Sequence, residues 1–118
     1  MQFAALCIFV DDIAAARTFY HDGLGLPLVR KHEDNAFGPD AGASLVVETV
    51  PQDAPAEDRA MVGRFIGCSL KVDDMDGEYE RLQADGVRFH GAPAKQYWGG
   101  TLAHFDDPSG NVLTLVSD

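Results

Sequence analysis

The chain has 118 residues, 46% of them hydrophobic and 24% charged, which is typical of a single soluble globular domain. Its net charge of −10, from 9 basic and 19 acidic residues, argues against nucleic acids and anionic membranes as partners. No apolar run approaches the roughly 20 residues that span a bilayer. The start of the chain lacks the positive charges and cleavage site of a signal peptide, so we expect a cytoplasmic protein.

The first half of the chain predicts the order β-α-β-β, with a further short strand possible near Ala36. Asp11 or Asp12 can cap the helix, because a short carboxylate accepts hydrogen bonds from the first-turn N–H groups. Gly23 fits the left-handed position at which such a helix ends. Strand-like apolar runs cover residues 3–10, 26–31 and 43–50.

The second half repeats this plan after a proline-rich and acidic linker over residues 51–63. Asp73 or Asp74 is placed to cap a helix that ends at Gly86. That helix carries apolar side chains at the spacing of one helix face, namely Met75, Tyr79 and Leu82. Strands are predicted over residues 64–72, 87–90, 97–105 and 111–118.

The repeated order predicts an α+β fold with two pseudo-symmetric βαβββ modules, residues 1–50 and 64–118, within a single domain over residues 1–118. Each module is expected to pack its helix against one face of a curved mixed sheet. The opposite faces are then left to enclose a cleft. A unit that occurs only twice does not suit a solenoid.

Three stretches carry a resemblance to a known family. They read VDDIAAARTFYHDGLGLPLV, CSLKVDDMDGEYERLQADGVRF and WGGTLAHFDDPSGNVLTLV in chain order. Together they resemble the vicinal oxygen chelate superfamily, which includes glyoxalase I, bleomycin-resistance proteins, extradiol dioxygenases and fosfomycin-resistance transferases. The resemblance implies paired βαβββ modules around a cleft, often completed in a homodimer.

The resemblance also implies a metal centre with four ligand positions. Three of them correspond here to Ala5, Gly67 and Thr114, and the fourth to Glu48, or to Val47 if the strand register differs by one. Alanine and glycine offer no donor atom, and a neutral threonine hydroxyl is a poor ligand for a divalent transition metal. We therefore predict that the usual metal centre is absent, and we expect no cofactor.

Strand alternation predicts which side chains line the cleft. Most of the side chains predicted to line it are small or apolar and a few are polar, as in many small-molecule sites. Trp98 either stacks on a ligand or fills the core between the modules. The predicted ligand-binding residues are Ala5, Cys7, Phe9, Phe37, Glu48, Gly67, Ser69, Lys71, Trp98, His104 and Thr114.

Two further residue pairs bear on the site. His90 follows Phe89, and His104 precedes Phe105. Because neighbouring strand residues point to opposite faces, both imidazoles face the cleft if the two phenylalanines face the helix. The two cysteines, Cys7 and Cys68, lack a C-x-x-C spacing, and we expect reduced, half-buried thiols.

These features favour a metal-free, homodimeric binder of a small molecule, resembling the bleomycin-resistance type. The acidic balance is compatible with a cationic or aromatic ligand. One alternative is a metal-dependent lyase, isomerase or dioxygenase of the glyoxalase kind. Another is a metal-free enzyme in which burial raises the pKa of Glu48 so that it acts as a general base. A third is a subunit whose cleft has collapsed and which acts through dimer contacts.

Overall fold

The structure is a computed structural model, and it describes residues 1–32, 36–39 and 45–118. The side chains of residues 29–32, 36, 37 and 39 also lie outside this description. The chain forms two compact units, each with its own four-stranded sheet. Unit 1 contains Met1–Arg64 and Pro108–Asn111, and unit 2 contains Phe65–Asp107 and Val112–Asp118.

Unit 1 is built on a mixed sheet with the strand order β1-β4-β3-β2. β1 pairs with β4 in parallel, and the other neighbours are antiparallel. The short strand predicted near Ala36 is therefore present as β3. The elements are β1 (Leu6–Val10), α1 (Ile13–Arg17), β2 (Leu28–His32), β3 (Ala36–Pro39), β4 (Leu45–Thr49) and α2 (Ala56–Arg59).

The first helical segment begins at its predicted cap, and its last residue is Gly23, as predicted. Asp12 is the N-cap, and its carboxylate accepts a hydrogen bond of 3.0 Å from the backbone N–H of Ala15. Beyond α1 the backbone continues as a π-helical turn over Thr18–Gly23. The left-handed residue is Gly25, with a φ of 78°, two residues beyond Gly23. The left-handed conformation predicted for Gly23 is therefore wrong, although the helical segment ends there.

The core of unit 1 follows the alternation of its strands. Ile8, Val10 and Val47 are fully buried, and so are Ala16 and Tyr20, which are four residues apart in the helical segment. Strand residues of the opposite parity therefore lie on the other face of the sheet.

Unit 2 has the strand order β5-β8-β7-β6, with β5 and β8 parallel. Both sheets thus place the first strand beside the fourth, then the third and the second. The elements are β5 (Phe65–Lys71), α3 (Met75–Ala84), β6 (Ala94–Lys95), β7 (Thr101–Asp106) and β8 (Val112–Ser117).

The limits of α3 agree with the sequence, whereas one predicted strand does not. Asp74 accepts a hydrogen bond of 3.0 Å from the N–H of Gly77, and Gly86 has a φ of 89° just after the helix. Residues 87–90 form only an isolated bridge, Phe89 with Phe105. The expected full strand is wrong there, and pairing with β7 resumes at the two-residue β6.

The turn Pro108–Asn111 belongs to unit 1 because of one buried side chain. The Asn111 carboxamide oxygen accepts hydrogen bonds from the backbone N–H groups of Gly63 and Arg64, at 2.9 and 3.0 Å. Its amide nitrogen donates to the Phe9 carbonyl at 2.8 Å. Val62 also bridges to Phe9, so the segment after α2 is hydrogen-bonded into unit 1.

α3, with 10 residues, is the longest helix in the part of the chain that the structure describes. None of the helices there has the length and apolar character to cross a membrane.

Candidate functional site

Each sheet has one face that carries buried apolar residues and one face whose residues are mostly less buried, here called the open face. In β5 the exposed residues Gly67, Ser69 and Lys71 alternate with the more buried Cys68 and Leu70. This is the orientation that alternation predicted for these strands.

The first open face contains Cys7, Phe9, Val46 and Glu48. Phe9 pairs with Glu48 across the parallel β1–β4 ladder, whereas the fully buried Val47 pairs with Ile8. Glu48 therefore occupies the outward register that the sequence left open. Its side chain is exposed, so unit 1 does not supply the burial that a general-base role for Glu48 requires.

Two other residues of unit 1 were predicted to bind the ligand, Ala5 and Phe37. Ala5 is exposed and precedes the first residue of β1. Phe37 lies in β3, but its side chain falls outside the described part of the structure.

The second open face carries a row of polar residues across three strands. Ser69 of β5 pairs with Thr114 of β8, which pairs in turn with His104 of β7. His104 Nδ1 and Thr114 Oγ1 share a hydrogen bond of 2.7 Å, and Thr114 is only 3% exposed. The His104 ring meets the Phe65 ring edge to face, with centroids 5.8 Å apart. The imidazole is thus held on two sides.

A second histidine joins this face beside β7. Phe89 packs against Tyr79 of α3 with ring centroids 4.7 Å apart, and it also contacts Phe105. The phenylalanines therefore face the helix, and alternation places His90 and His104 on the opposite side.

His90 also has a carboxylate partner. Its Nε2 is hydrogen-bonded to the carboxylate of Asp106, whose side chain is 18% exposed. The Arg88 Nε lies 3.8 Å from the other oxygen of that carboxylate. A half-exposed imidazole oriented by a less exposed carboxylate is an arrangement able to move a proton.

Lys71 is less available than the sequence suggested. Its Nζ lies 3.4 Å from the side-chain carboxylate of Asp118, and both groups are largely exposed. Such surface pairs are weak, so the pair partly neutralises the cation without fixing it in place.

Trp98 lies over a glycine rather than in the core of unit 2. A Cβ placed on Gly100 would come within 1.8 Å of the indole ring, so the ring occupies the space that a side chain would need. Trp98 remains 51% exposed. Gly100 shares the strand parity of Leu102 and His104, which places the indole at the open-face end of β7.

A small cavity of about 140 Å³ opens beside the two histidines. Its walls include His90, Ala94, Gln96, Leu102 and His104. Sequence reasoning missed Phe65 and Asp106 as members of this region. The alternation His-Phe-Asp within β7 was a signal for Asp106, whereas the ring contact of Phe65 depends on the pairing of β5 with β8.

The residues at the predicted ligand positions do not fit a metal centre. Ala5 and Gly67 have no donor atom, and the Thr114 hydroxyl is engaged by His104. Gly67 has a φ of 71° at an irregularity in the β5–β8 register, a conformation that disfavours any larger residue. Among the described side chains, no group of three or more His, Cys, Asp and Glu could hold a metal ion.

The two thiols differ in environment. Cys7 is exposed on the first open face, whereas Cys68 is partly buried on the opposite face of β5. Burial raises the pKa of the Cys68 thiol, because desolvation disfavours the thiolate. The expectation of two half-buried thiols is therefore met by Cys68 and not by Cys7.

Comparisons with known proteins agree with this architecture. A solved structure from Sphaerobacter thermophilus, a member of the glyoxalase/bleomycin resistance protein/dioxygenase superfamily, is 28% identical with a TM-score of 0.81 and covers 100% of this chain and 98% of its own. TnmS3, an antibiotic binding protein from Streptomyces, is 27% identical with a TM-score of 0.73 over 99% of this chain and 96% of its own.

A bleomycin resistance protein from Klebsiella pneumoniae is 34% identical over 62 residues, which are 46% of this chain and 48% of that protein. The sequence model of the Glyoxalase/Bleomycin resistance protein/Dioxygenase superfamily matches residues 2–115. The chain therefore belongs to the glyoxalase/bleomycin resistance protein/dioxygenase superfamily, the vicinal oxygen chelate family that its three motifs resemble.

Proposed function

We propose that this protein binds a small, partly apolar molecule on the second open face without a metal ion. The observation that carries the proposal is the fixed position of His104, held by the buried Thr114 hydroxyl and by the Phe65 ring. An oriented polar group beside exposed aromatic surface is the usual composition of a small-molecule site.

The side chains of the second open face favour a cationic or aromatic ligand. Phe65 is 65% exposed and Trp98 is 51% exposed, so both rings have free surface for stacking. Asp106 adds a carboxylate to the same face, in a chain whose net charge is −10. Two of the similar proteins carry names that refer to antibiotic binding or bleomycin resistance, which is consistent with this class.

Binding is best tested by calorimetry together with the fluorescence of Trp98, the single tryptophan of the chain. Metal-free bleomycin serves as the cationic glycopeptide probe and doxorubicin as the planar aromatic probe. We expect saturable binding of at least one probe, weakened about tenfold or more by Phe65→Ala or His104→Ala. Phe3→Ala is the matched control, since Phe3 is 74% exposed and lies in unit 1.

Two results would contradict this proposal. One is the absence of heat and fluorescence change with both probes at millimolar concentration. The other is binding that Phe65→Ala, His104→Ala and Phe3→Ala leave unchanged, because the ligand would then lie elsewhere.

The proposal that the site holds no metal ion is tested by elemental analysis. After purification without added metals, elemental analysis is expected to find less than stoichiometric Ni, Zn, Fe and Mn. One tightly held metal per chain, lost on Glu48→Gln, would instead favour the metal-dependent lyase, isomerase or dioxygenase.

We also propose that the protein is a cytoplasmic homodimer. The support is the Tyr97 side chain of unit 2, which is 100% exposed and has no role in the proposed ligand site. Sedimentation equilibrium should give twice the chain mass at micromolar concentration. A monomer at 100 µM would rule out the dimer while leaving ligand binding open to its own test.

The His90–Asp106 pair favours one further candidate, a metal-free proton transfer. An imidazole oriented by a carboxylate acts as a general base toward a weakly acidic C–H or a water molecule. We expect the wild type to catalyse deuterium exchange into a bound ketone, and His90→Gln to slow this exchange at least about tenfold. Wild-type exchange no faster than buffer would reject it.

A further inference from the structure

A larger cavity, of about 560 Å³, is lined by residues of unit 1. It opens just after β1 and β4, where Asp11 and Val50 follow the two strands. Pro51 and Gln52, Arg59 of α2 and Ser109 of the turn at 108–111 complete its walls with Val62. Its volume falls in the range of about 300–1,000 Å³ typical of small-ligand pockets.

The cavity has one positive and one negative side chain, and neither forms an ion pair with another described residue. The Arg59 Nε donates to the Ala54 carbonyl at 3.1 Å, which anchors the guanidinium. Among the described residues, no carboxylate lies within 4.0 Å of that guanidinium, and no cationic nitrogen lies within 4.0 Å of the Asp11 carboxylate. The two charges therefore do not pair with each other.

The Asp11 carboxylate is also held in position. One of its oxygens accepts a hydrogen bond of 2.6 Å from the Ser109 hydroxyl, whose oxygen accepts from the Asp11 backbone N–H at 3.1 Å. Since Asn111 hydrogen-bonds the same turn to Gly63 and Phe9, the Asp11–Ser109 pair joins the end of β1 to a turn that is itself bonded into unit 1. The carboxylate is thus fixed before any ligand arrives.

We propose that this cavity binds a small zwitterion of the α-amino acid type. The Arg59 guanidinium pairs with the ligand carboxylate through parallel N–H donors, and the Asp11 carboxylate accepts from the ligand ammonium group. Val50 and Val62 offer apolar surface to a branched aliphatic side chain. A ligand with both charges pairs with the Arg59 guanidinium and the Asp11 carboxylate at the same time. A simple anion leaves Asp11 unpaired and a simple cation leaves Arg59 unpaired.

The test compares L-leucine with two analogues that each lack one charge. 4-Methylpentanoate lacks the amino group, and 3-methylbutylamine lacks the carboxylate. In ¹H–¹⁵N spectra of the labelled wild-type chain, L-leucine should shift the amide signals of Asp11, Gln52 and Ser109 with saturation. Both analogues should bind at least about tenfold more weakly, because each loses one charged pair.

Variants then assign the two charges. Arg59→Gln should abolish the preference for L-leucine over 3-methylbutylamine, and Asp11→Asn should abolish its preference over 4-methylpentanoate. Arg88→Gln and Asp53→Asn are matched controls outside the cavity and should leave binding unchanged. Circular dichroism verifies the folding of each variant.

No shift at 20 mM L-leucine would overturn the proposal. So would shifts that persist unchanged in folded Arg59→Gln and Asp11→Asn proteins. Neither result affects the second open face, whose probes and variants are different.

Discussion

His104 Nδ1 lies 2.7 Å from the hydroxyl oxygen of Thr114, on the neighbouring strand of the second sheet. The resemblance places a metal ligand at Thr114, and in this chain the same position fixes an imidazole instead. Thr114 thus orients the His104 imidazole, and its neutral hydroxyl does not provide the charged ligand that a metal ion would need. This relationship connects the predicted lack of a metal centre to the proposed ligand site.

Replacing Thr114 by valine tests that orienting role. Thr114→Val keeps the shape but removes the hydroxyl, so the His104 ring loses its partner and we expect probe binding to weaken about threefold to tenfold. The unfolding free energy should fall by about 1 kcal/mol. Thr101→Val in β7 is the matched control. Unchanged affinity and unchanged imidazole ¹⁵N shifts of His104 would show that the bond does not position the ring.

Replacing Asn111 by alanine should strongly destabilise unit 1. The change removes three part-buried hydrogen bonds, to the backbone groups of Gly63, Arg64 and Phe9. We expect a loss of about 3 kcal/mol in urea unfolding followed by circular dichroism. Ser109→Ala, which removes a more exposed contact, should cost less than about 1 kcal/mol. Equal losses in the two variants would contradict this account.

Adding one methyl group at Gly100 should move the indole of Trp98. The new Cβ would lie 1.8 Å from the ring, so the ring must leave its place over the backbone. We expect a red shift of the tryptophan emission and stronger quenching by acrylamide. Gly91→Ala, where a Cβ meets no atom within 4 Å, should change neither. An unchanged Gly100→Ala spectrum would place the ring elsewhere in solution.

The two thiols should react at different rates. Cys7 is exposed, whereas burial raises the pKa of Cys68, so less of Cys68 is thiolate at neutral pH. With iodoacetamide at pH 7.5, mass spectrometry should find Cys7 alkylated several-fold faster. The difference between the two alkylation rates should become smaller as the pH rises, because the Cys68 thiolate fraction then increases. Cys7→Ser should remove the fast phase, and loss of the slow phase instead would reverse the assignment.

The caps and the alternation of the strands could be predicted because they depend on neighbouring residues. Asp12 and Asp74 cap their helices through N–H groups three residues away. The exposed positions of β5 follow from the two-residue period of any strand. The helical segment ends at Gly23 as predicted, but the sequence has no local signature for its π turn and did not indicate that Gly25 is the left-handed residue.

The sequence by itself determined the α+β element order, the family, and the absence of donor atoms at Ala5 and Gly67, because these follow from residue identity and short-range periodicity. The tertiary structure alone decided which residues meet. Asn111 reaches the Phe9 carbonyl across 102 positions, and the 560 Å³ cavity joins residues from both ends of the chain. Such contacts depend on long-range strand pairing, which local preferences do not encode.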